Sequence, residues 1–208
     1  MSKARKIPPS KGKHHRGLEP SLKLESSTDW ESSLERDYIK LLEFDQDIIS
    51  YEHQPLVINY SNQGKAARYF PDFKIITKQH GTILIEVKPE KFINLEENRI
   101  KFAVGRMFCQ KQGWEFQVKT ELHIRPGFLQ KNLTRLIKLQ KSCLRSTELY
   151  LINNIKRNAP ISIADLQSLC SDISEADLKG YIYHLIYKHE IHTNLVDFPL
   201  SDDSLLSC

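Results

Sequence analysis

One short stretch of the chain combines carboxylates and a lysine with an apolar run. Residues 69–91 read YFPDFKIITKQHGTILIEVKPEK, in which Asp72 follows a proline, and Glu86 and Lys88 end the apolar run. Charged groups at the end of a buried strand need solvent or a compensating partner. A Mg²⁺ ion held by a few carboxylates would be such a partner. The stretch therefore predicts metal-assisted cleavage of a phosphodiester.

The expected roles follow from what that reaction requires, namely neutralised phosphoryl oxygens, an activated water and a stabilised leaving oxygen. Asp72 and Glu86 would be carboxylate ligands, and the carbonyl of Val87 could add a neutral one. Lys88 would orient the nucleophile and offset charge. We expect one or two Mg²⁺ ions, for which Mn²⁺ would substitute. The plainer alternative is that Glu86 and Lys88 form a surface ion pair that contributes little.

A β-hairpin would bring these groups together. Gln79-His80-Gly81 fits a three-residue loop with Gly in the left-handed position. In that register Asp72 lies opposite Lys88, and Lys74 lies opposite Glu86. Because side chains alternate across a strand, Asp72, Glu86 and Lys88 should project from one face. A register slipped by one residue would break this arrangement.

The elements around the hairpin follow from hydrophobic periodicity and turn signals. Thr28-Asp29-Trp30-Glu31 has the form of a capping box, which predicts a helix to about Phe44 with Glu35 at the border of its apolar stripe. The other elements predicted here are strands within 48–60, a helix over 95–112, and strands over 114–118 and 122–125. This order indicates an α/β domain with a mixed sheet.

The C-terminal part is predicted to be mostly helical. Its elements are helices over 133–143, 147–157, 163–170 and 175–188, followed by a closing strand over 191–198. The order resembles a winged helix, in which Lys179 and Lys188 of the last helix would be candidate DNA contacts. Because the charge of this helix is modest, docking of a protein is an equal alternative.

The basic residues of the chain are concentrated at its start. The net charge is +4, but residues 1–28 hold seven Lys or Arg against two Glu, which gives this arm +5. Its Pro and Gly content predicts a flexible arm that contacts DNA phosphates, although a solvated terminus without a partner is the simpler alternative. The residues proposed for DNA contact in the arm are Lys3, Arg5, Lys6, Lys11, Lys13 and Arg16. On the helix over 95–112, Lys101 and Arg106 are further candidates, with an exposed helix face as the alternative.

Composition excludes several classes of protein. The four cysteines are far apart and form no CxxC pair, which argues against a structural zinc site and for a reducing compartment. No apolar segment approaches the length of a membrane span, and the N-terminus is too polar for a secretory signal. We therefore expect a cytoplasmic protein without a membrane partner.

Several short blocks, taken in order, carry a resemblance to a known family. They are SLER (33–36), LEFD (42–45), YEHQP (51–55), RYFPDF (68–73) and IEVKP (85–89). Together they are similar to the TnsA endonucleases of heteromeric transposases, over about Trp30 to Arg125. These endonucleases belong to the PD-(D/E)xK nuclease superfamily. Its motif is matched here by Pro71-Asp72, a spacer of thirteen residues and Glu86-Val87-Lys88. The resemblance implies a restriction-endonuclease-like mixed sheet flanked by helices, followed by a small winged-helix-like α(+β) domain.

The resemblance also implies roles for residues and partners. Glu35 takes the position of the helical carboxylate ligand, Asp72 and Glu86 those of further ligands, and Lys88 that of the catalytic lysine. The implied activity is cleavage of the 5′ strands at the ends of a transposon in double-stranded DNA, in the prokaryotic cytoplasm. A TnsB-type transposase would cut and join the 3′ ends, and a TnsC-type AAA+ ATPase would regulate both. Leu205 and Leu206, near the C-terminus, would dock on that regulator.

The resulting domain prediction has four parts. Residues 1–28 are the basic arm, 29–130 the endonuclease domain, 131–197 the winged-helix-like domain and 198–208 a partner-binding tail. Two other functions stay open. The chain could be a stand-alone nuclease of the same superfamily in restriction or repair, or a catalytically silent DNA-binding adaptor.

Overall fold

The chain divides after Ile124 into two units, and the computed structural model describes residues 17–21 and 23–208. The first unit contains β1 (Gly17–Ser21), β2 (Ser26–Trp30), α1 (Ser33–Phe44), β3 (Ile48–His53), β4 (Ile58–Asn62), β5 (Lys65–Tyr69), β6 (Phe73–Thr77), β7 (Gly81–Val87), a 3₁₀ turn (Glu90–Phe92), α2 (Glu96–Gln112), β8 (Glu115–Lys119) and α3 (Glu121–Ile124). The second unit contains α4 (Leu129–Leu139), α5 (Arg145–Asn158), β9 (Ile161–Ser162), α6 (Ile163–Leu169), α7 (Glu175–Tyr187) and β10 (Leu205–Leu206). Within the described residues, none of the helices has both the length and the apolar character that crossing a membrane requires.

A four-stranded mixed sheet in the order β3, β6, β7, β8 forms the centre of the first unit. β6 is antiparallel to both β3 and β7, whereas β8 runs parallel to β7. The parallel pair requires a crossover, which α2 supplies. The prediction of an α/β domain with a mixed sheet flanked by helices is confirmed.

The two faces of the sheet are covered by different elements. On one face, Leu34 of α1 belongs to the same buried cluster as Phe73 and Ile85 of the sheet. On the other face, Leu84 of β7 packs with Cys109 of α2 and with the hairpin formed by β4 and β5. β7 is therefore buried on both sides, which explains its continuous apolar run.

Helix α1 begins later than the sequence predicts. Thr28 lies in β2, and the capping box is formed by Ser32 and Glu35 instead. Ser32 Oγ accepts from the Glu35 N–H (3.1 Å) and donates to Glu35 Oε1 (2.8 Å). The expected capping box at Thr28 and Glu31 is wrong because Thr28 is already paired in a strand, opposite Glu19 of β1.

The hairpin of β1 and β2 also limits the predicted flexible arm. Residues 17–21 pair with residues 26–30, and Leu24 and Trp30 pack against the core beneath α1. The prediction of a flexible arm over 1–28 is therefore wrong for residues 17–21 and 23–28, since this apolar contact anchors the hairpin. The six basic residues proposed for DNA contact in the arm, Lys3 to Arg16, lie outside the described residues.

The strand predicted over 122–125 is wrong, because α3 occupies this segment. The alternation of Leu122 and Ile124 is typical of a strand, but only Ile124 is buried, and Leu122 is 67% exposed. The backbone amides of His123 and Ile124 both donate to the carbonyl of Thr120 (3.0 Å each), which starts a helical turn.

In the second unit, α4 to α7 form within a few residues of the predicted positions. β9 and β10 pair antiparallel, with Ile161 opposite Leu206, and His192 forms an isolated bridge with Ser207. The strand predicted over 191–198 is therefore wrong, apart from this bridge at His192. The strand partner of β9 comes instead from the last residues of the chain.

The segment 198–208 is correspondingly part of the fold and not a detached tail. Leu206 is fully buried, whereas Leu205 is 57% exposed. The preceding loop is fixed by buried Asn132, whose Nδ2 donates to the carbonyls of Leu195 (2.9 Å) and Phe198 (2.8 Å) and whose Oδ1 accepts from the Leu200 N–H (2.9 Å). Leu206 thus cannot anchor a partner without leaving its own core, which corrects its predicted docking role.

Candidate active site

The register of β6 and β7 brings Asp72 next to Glu86. Phe73 pairs with Ile85 and Lys74 with Leu84, so the next position places Asp72 opposite Glu86. The predicted pairs of Asp72 with Lys88 and Lys74 with Glu86 are wrong by two residues. A shift of two positions leaves every side chain on its original face, because strand side chains alternate with a period of two. Asp72 and Glu86 therefore still share one face.

Asp72 is enclosed by like charge. Its Oδ2 accepts from the Val87 N–H (2.7 Å). Burial is the largest influence on this carboxyl, and with the negative charges of Glu86 and Glu35 it raises the pKa of Asp72 well above its usual range, against the opposing effects of Lys88 and the Val87 N–H. The site therefore favours a nearby positive charge, and among the described residues Lys88 contributes one. The carbonyl of Val87, proposed above as a ligand, stays a prediction.

Glu86 is buried, with 3% of its surface exposed, and both of its oxygens are engaged. The Tyr69 hydroxyl donates to Oε2 (2.7 Å), and the Lys88 ammonium lies 3.0 Å from Oε1. Burial and the neighbouring Glu86 carboxylate raise the pKa of Tyr69, so its hydroxyl remains a donor. Tyr69 was not predicted from the sequence, although it stands only three residues before Asp72.

Lys88 supplies positive charge at the end of β7. Burial alone would lower the pKa of Lys88, but the charges of Glu86 and Asp72 and the direct contact with Glu86 outweigh it, and the pKa is raised. Lys88 is therefore protonated at neutral pH, and 26% of its side chain is exposed. An ammonium held there can meet an incoming anion.

Glu35 reaches the same region from α1 and is buried. Besides the contact with Ser32, its Oε2 accepts from the Glu31 N–H (2.9 Å) and lies 3.2 Å from His53 Nε2. Burial acts to raise the pKa of Glu35, but the hydrogen bonds from His53, Glu31 and Ser32 outweigh it and lower the pKa. Its charge contributes to the raised pKa of Asp72, which places these two carboxylates within electrostatic reach.

His53 and Gln54 complete the surroundings. His53 ends β3, and its ring packs against Phe73 with centroids 5.2 Å apart. Gln54 has a left-handed backbone (φ 46°), and its N–H donates to the carbonyl of Asp72 (2.7 Å). This conformation costs a non-glycine residue about 1–2 kcal/mol. Gln54 precedes Pro55 in the sequence, which is also typical of an ordinary turn residue. His53 lies in the block YEHQP, but the sequence assigned no role to it.

The donor set can be compared with the needs of Mg²⁺. Among residues 17–21 and 23–208, no group of three or more His, Cys, Asp or Glu side chains is arranged as a preformed metal site. Asp72 and Glu86 nevertheless offer carboxylate oxygens, the ligand type that Mg²⁺ prefers. Burial first, and then the negative charges of Glu86 and Glu35, raise the pKa of Asp72, so these carboxylates repel one another. A divalent cation would relieve this repulsion, so the chemistry of the donors fits the ion.

Removing the charge of Asp72 should stabilise the metal-free chain. The pKa of Asp72 is higher in the folded chain than its ordinary value of 3.8. The folded chain therefore loses stability as the pH rises from 3.8 through the folded pKa, because the carboxyl must ionise in an unfavourable place. In EDTA at pH 7 we expect Asp72→Asn to raise Tm by at least about 2 °C, the shift that roughly 1 kcal/mol produces in a protein of this size. Differential scanning fluorimetry checks this, with the exposed Asp203→Asn as control. A lower Tm for Asp72→Asn alone would contradict it.

The candidate DNA contacts differ in their surroundings. Lys101 and Arg106 lie on α2, where Lys101 is half-buried and Arg106 is exposed, with its guanidinium 5.8 Å from the ring centroid of Phe116. Lys179 is ion-paired with Glu175 (2.6 Å) and Asp202 (2.7 Å). Contact with DNA stays a prediction for Lys101 and Arg106.

Lys188 is also ion-paired, with Glu148 (3.2 Å) and Glu190 (3.0 Å). Residues 158–208, which include α7, contain two Lys against eight Asp or Glu, a net charge of −6 with His neutral. Such a segment repels phosphate. Contact with DNA stays a prediction for Lys179 and Lys188, against which these ion pairs and the charge of the segment compete.

Comparison with known proteins identifies the segment that contains this site. No curated protein matches the chain. A family model described as TnsA-like endonuclease N terminal matches residues 45–121, which include Asp72, Glu86 and Lys88 but not Glu35. Residues 45–121 are thus similar to a TnsA-like endonuclease N-terminal domain, and this match supports a TnsA-type endonuclease.

Proposed function

We propose that the chain is the Mg²⁺-dependent DNA endonuclease subunit of a Tn7-type heteromeric transposase, which cleaves the 5′ strands at transposon ends. The TnsA-like domain suggests a transposition nuclease subunit of this type. The observation that carries the proposal is the meeting of Asp72, Glu86 and Lys88 at one end of β6 and β7, inside the matched segment. A TnsB-type transposase would cut and join the 3′ ends, with a TnsC-type ATPase as regulator.

The residues of the site would have separate roles in metal binding, charge compensation and orientation. Asp72 and Glu86 would hold Mg²⁺ or Mn²⁺, with Glu35 as a further carboxylate. When bound, the ion would withdraw charge from the phosphoryl oxygens and favour attack by water at neutral pH. The Lys88 ammonium would bind a phosphoryl oxygen and offset charge that develops in the transition state. The hydroxyl of Tyr69 fixes the orientation of Glu86.

Within the second unit, the surface that contains α7 would serve contact with a protein more than DNA reading. The unit's order of α5, β9, α6, α7, the bridge at His192, a loop and β10 supports the winged-helix interpretation. In such folds the last helix is the one that usually enters the major groove. Here both lysines of α7 and its C-terminal end are ion-paired and the segment 158–208 is acidic. A basic surface of a partner protein would suit this segment better than phosphate, whereas residues 125–157 of the same unit hold eight Lys or Arg against one Glu.

The test is a strand-specific nicking assay on end-labelled DNA that carries the transposon ends, with Mg²⁺ and with or without the TnsB-type and TnsC-type proteins of the same element. We expect 5′-strand nicks with the wild type that depend on these partners and vanish with Asp72→Ala. Asp203→Ala, a change at an exposed aspartate of the second unit, should cut like the wild type.

Each other outcome decides between functions. Robust cutting of DNA by the single chain, without partners, would favour a stand-alone nuclease of restriction or repair. Nicks that persist in Asp72→Ala would come from another protein of the assembly, so the carboxylates of this chain would be structural and the silent adaptor would be favoured. If Asp72→Ala and Asp203→Ala lost nicking activity equally, the loss would reflect misfolded or damaged protein and not the candidate site.

A further inference from the structure

The carboxylates of Glu35 and Asp72 belong to different secondary-structure elements. Contacts between these elements must therefore fix the distance between the two carboxylates. Glu35 projects from α1, whereas Asp72 immediately precedes β6. Metal sites built from separate elements depend on neighbouring hydrogen bonds that orient each ligand. The contacts that span α1 and the sheet at this point are therefore informative.

Two consecutive residues at the end of β3 make such contacts. The imidazole of His53 reaches Glu35, with Nε2 and Oε2 3.2 Å apart. Since an ionised carboxylate can only accept, Nε2 must carry the proton and donate. The next residue, Gln54, donates its backbone N–H to the carbonyl of Asp72 (2.7 Å). One dipeptide thus binds both carboxylate-bearing residues.

The backbone of this dipeptide is left-handed at Gln54, and this conformation accompanies the contacts with Glu35 and Asp72. Gln54 is buried, is not a glycine and has φ 46°. Backbone outliers of this kind persist where the surroundings hold them, and they concentrate at functional sites. The His53 side chain is 6% exposed and packs on Phe73, which follows Asp72 directly, so the imidazole has little freedom to turn away from Glu35.

We infer that His53 is a positioning residue, which holds the Glu35 carboxylate towards Asp72 so that the two can share a divalent cation. This inference rests on the proposed function. The alternative, that His53 only fills the core beside Phe73, would require a ring of this size but no donor on Nε2. A variant that keeps a donor and a variant that lacks one therefore separate the two.

The experiment measures Mn²⁺ binding by electron paramagnetic resonance with the purified full chain, which avoids any need for DNA or partner proteins. We expect His53→Ala to weaken Mn²⁺ binding about tenfold or more, the usual effect of removing a group that orients a metal ligand. His53→Gln, which retains a side-chain N–H donor, should recover most of the affinity. His80→Ala, at an exposed histidine of the hairpin loop, should bind within twofold of the wild type.

A double-mutant cycle with Glu35→Gln distinguishes positioning from core filling. If His53 only fills the core, the effect of His53→Ala on Mn²⁺ affinity would not depend on Glu35. If His53 acts through Glu35, adding His53→Ala to Glu35→Gln should change Mn²⁺ affinity by less than twofold. An equal loss in both backgrounds, or unchanged affinity of His53→Ala, would overturn the role of His53. If His53→Ala fails to fold, as judged by melting in EDTA, His53→Gln decides alone, because a folded His53→Gln with tenfold weaker binding would also overturn it. A wild-type chain that binds no Mn²⁺ would instead contradict the proposed function.

Discussion

Lys88→Ala should reduce 5′-strand nicking by roughly a hundredfold to a thousandfold, the effect of removing one charge-stabilising group from a hydrolytic site. The physical reason is that Lys88 is the cation in contact with Glu86, at 3.0 Å. Its raised pKa keeps it charged at neutral pH. Without it, phosphoryl oxygens would approach Asp72 and Glu86 with less compensating charge. Single-turnover nicking rates with the assembled partners measure the effect.

Lys74 provides a matched control for this experiment. It lies on the same hairpin and is ion-paired with Glu52 (3.6 Å), away from Glu86. Lys74→Ala should change the nicking rate by less than about twofold, since a half-exposed ion pair of this kind contributes little. Lys88→Arg should not restore the rate, because a planar guanidinium does not replace a compact ammonium. Wild-type rates for Lys88→Ala would remove Lys88 from the site.

Leu206→Ala should destabilise the second unit by about 2–5 kcal/mol, whereas Leu205→Ala should cost less than about 0.5 kcal/mol. The two leucines are adjacent in β10, but Leu206 is fully buried and Leu205 is 57% exposed. The two variants therefore truncate the same side chain, once in the core and once on the surface. Urea unfolding followed by circular dichroism gives both free energies.

The same pair shows why truncating the C-terminus would not test the predicted docking. Deleting the residues after Phe198 would remove β10 and the bridge between His192 and Ser207, so weakened binding of a regulator could follow from unfolding alone. Leu205→Asp tests docking without that complication, because its side chain is exposed. Unfolding free energies that are equal for Leu205→Ala and Leu206→Ala would contradict the buried position of Leu206.

The candidate site could be predicted in its main members because strand alternation is robust. The predicted hairpin was wrong by two residues, yet Asp72 and Glu86 lie on one face in either register. The helix α2 was also predictable, since Gly113 ends it in a left-handed conformation (φ 69°). Local patterns of period and turn chemistry were sufficient for these features.

Other features depend on contacts between residues distant in sequence. The bond from Tyr69 to Glu86 and the contact between His53 and Glu35 exist only after the sheet and α1 have packed. Nothing in a single sequence marks a tyrosine or histidine as oriented towards a carboxylate. The C-terminal strand was missed for the same reason, because Leu206 becomes apolar core only by pairing with β9.

The capping box of α1 has a consequence for how this protein can evolve. Glu35 closes the first turn of its helix through Ser32 and Glu31, and the charge of the same carboxylate acts on Asp72. If Glu35 is a metal ligand as proposed, a substitution that removes its carboxylate would also remove these contacts at the start of α1. Lineages that lost the activity would still be under selection to keep an acceptor at this position. A carboxylate or amide surviving there would consequently be a poor indicator that a relative still cuts DNA.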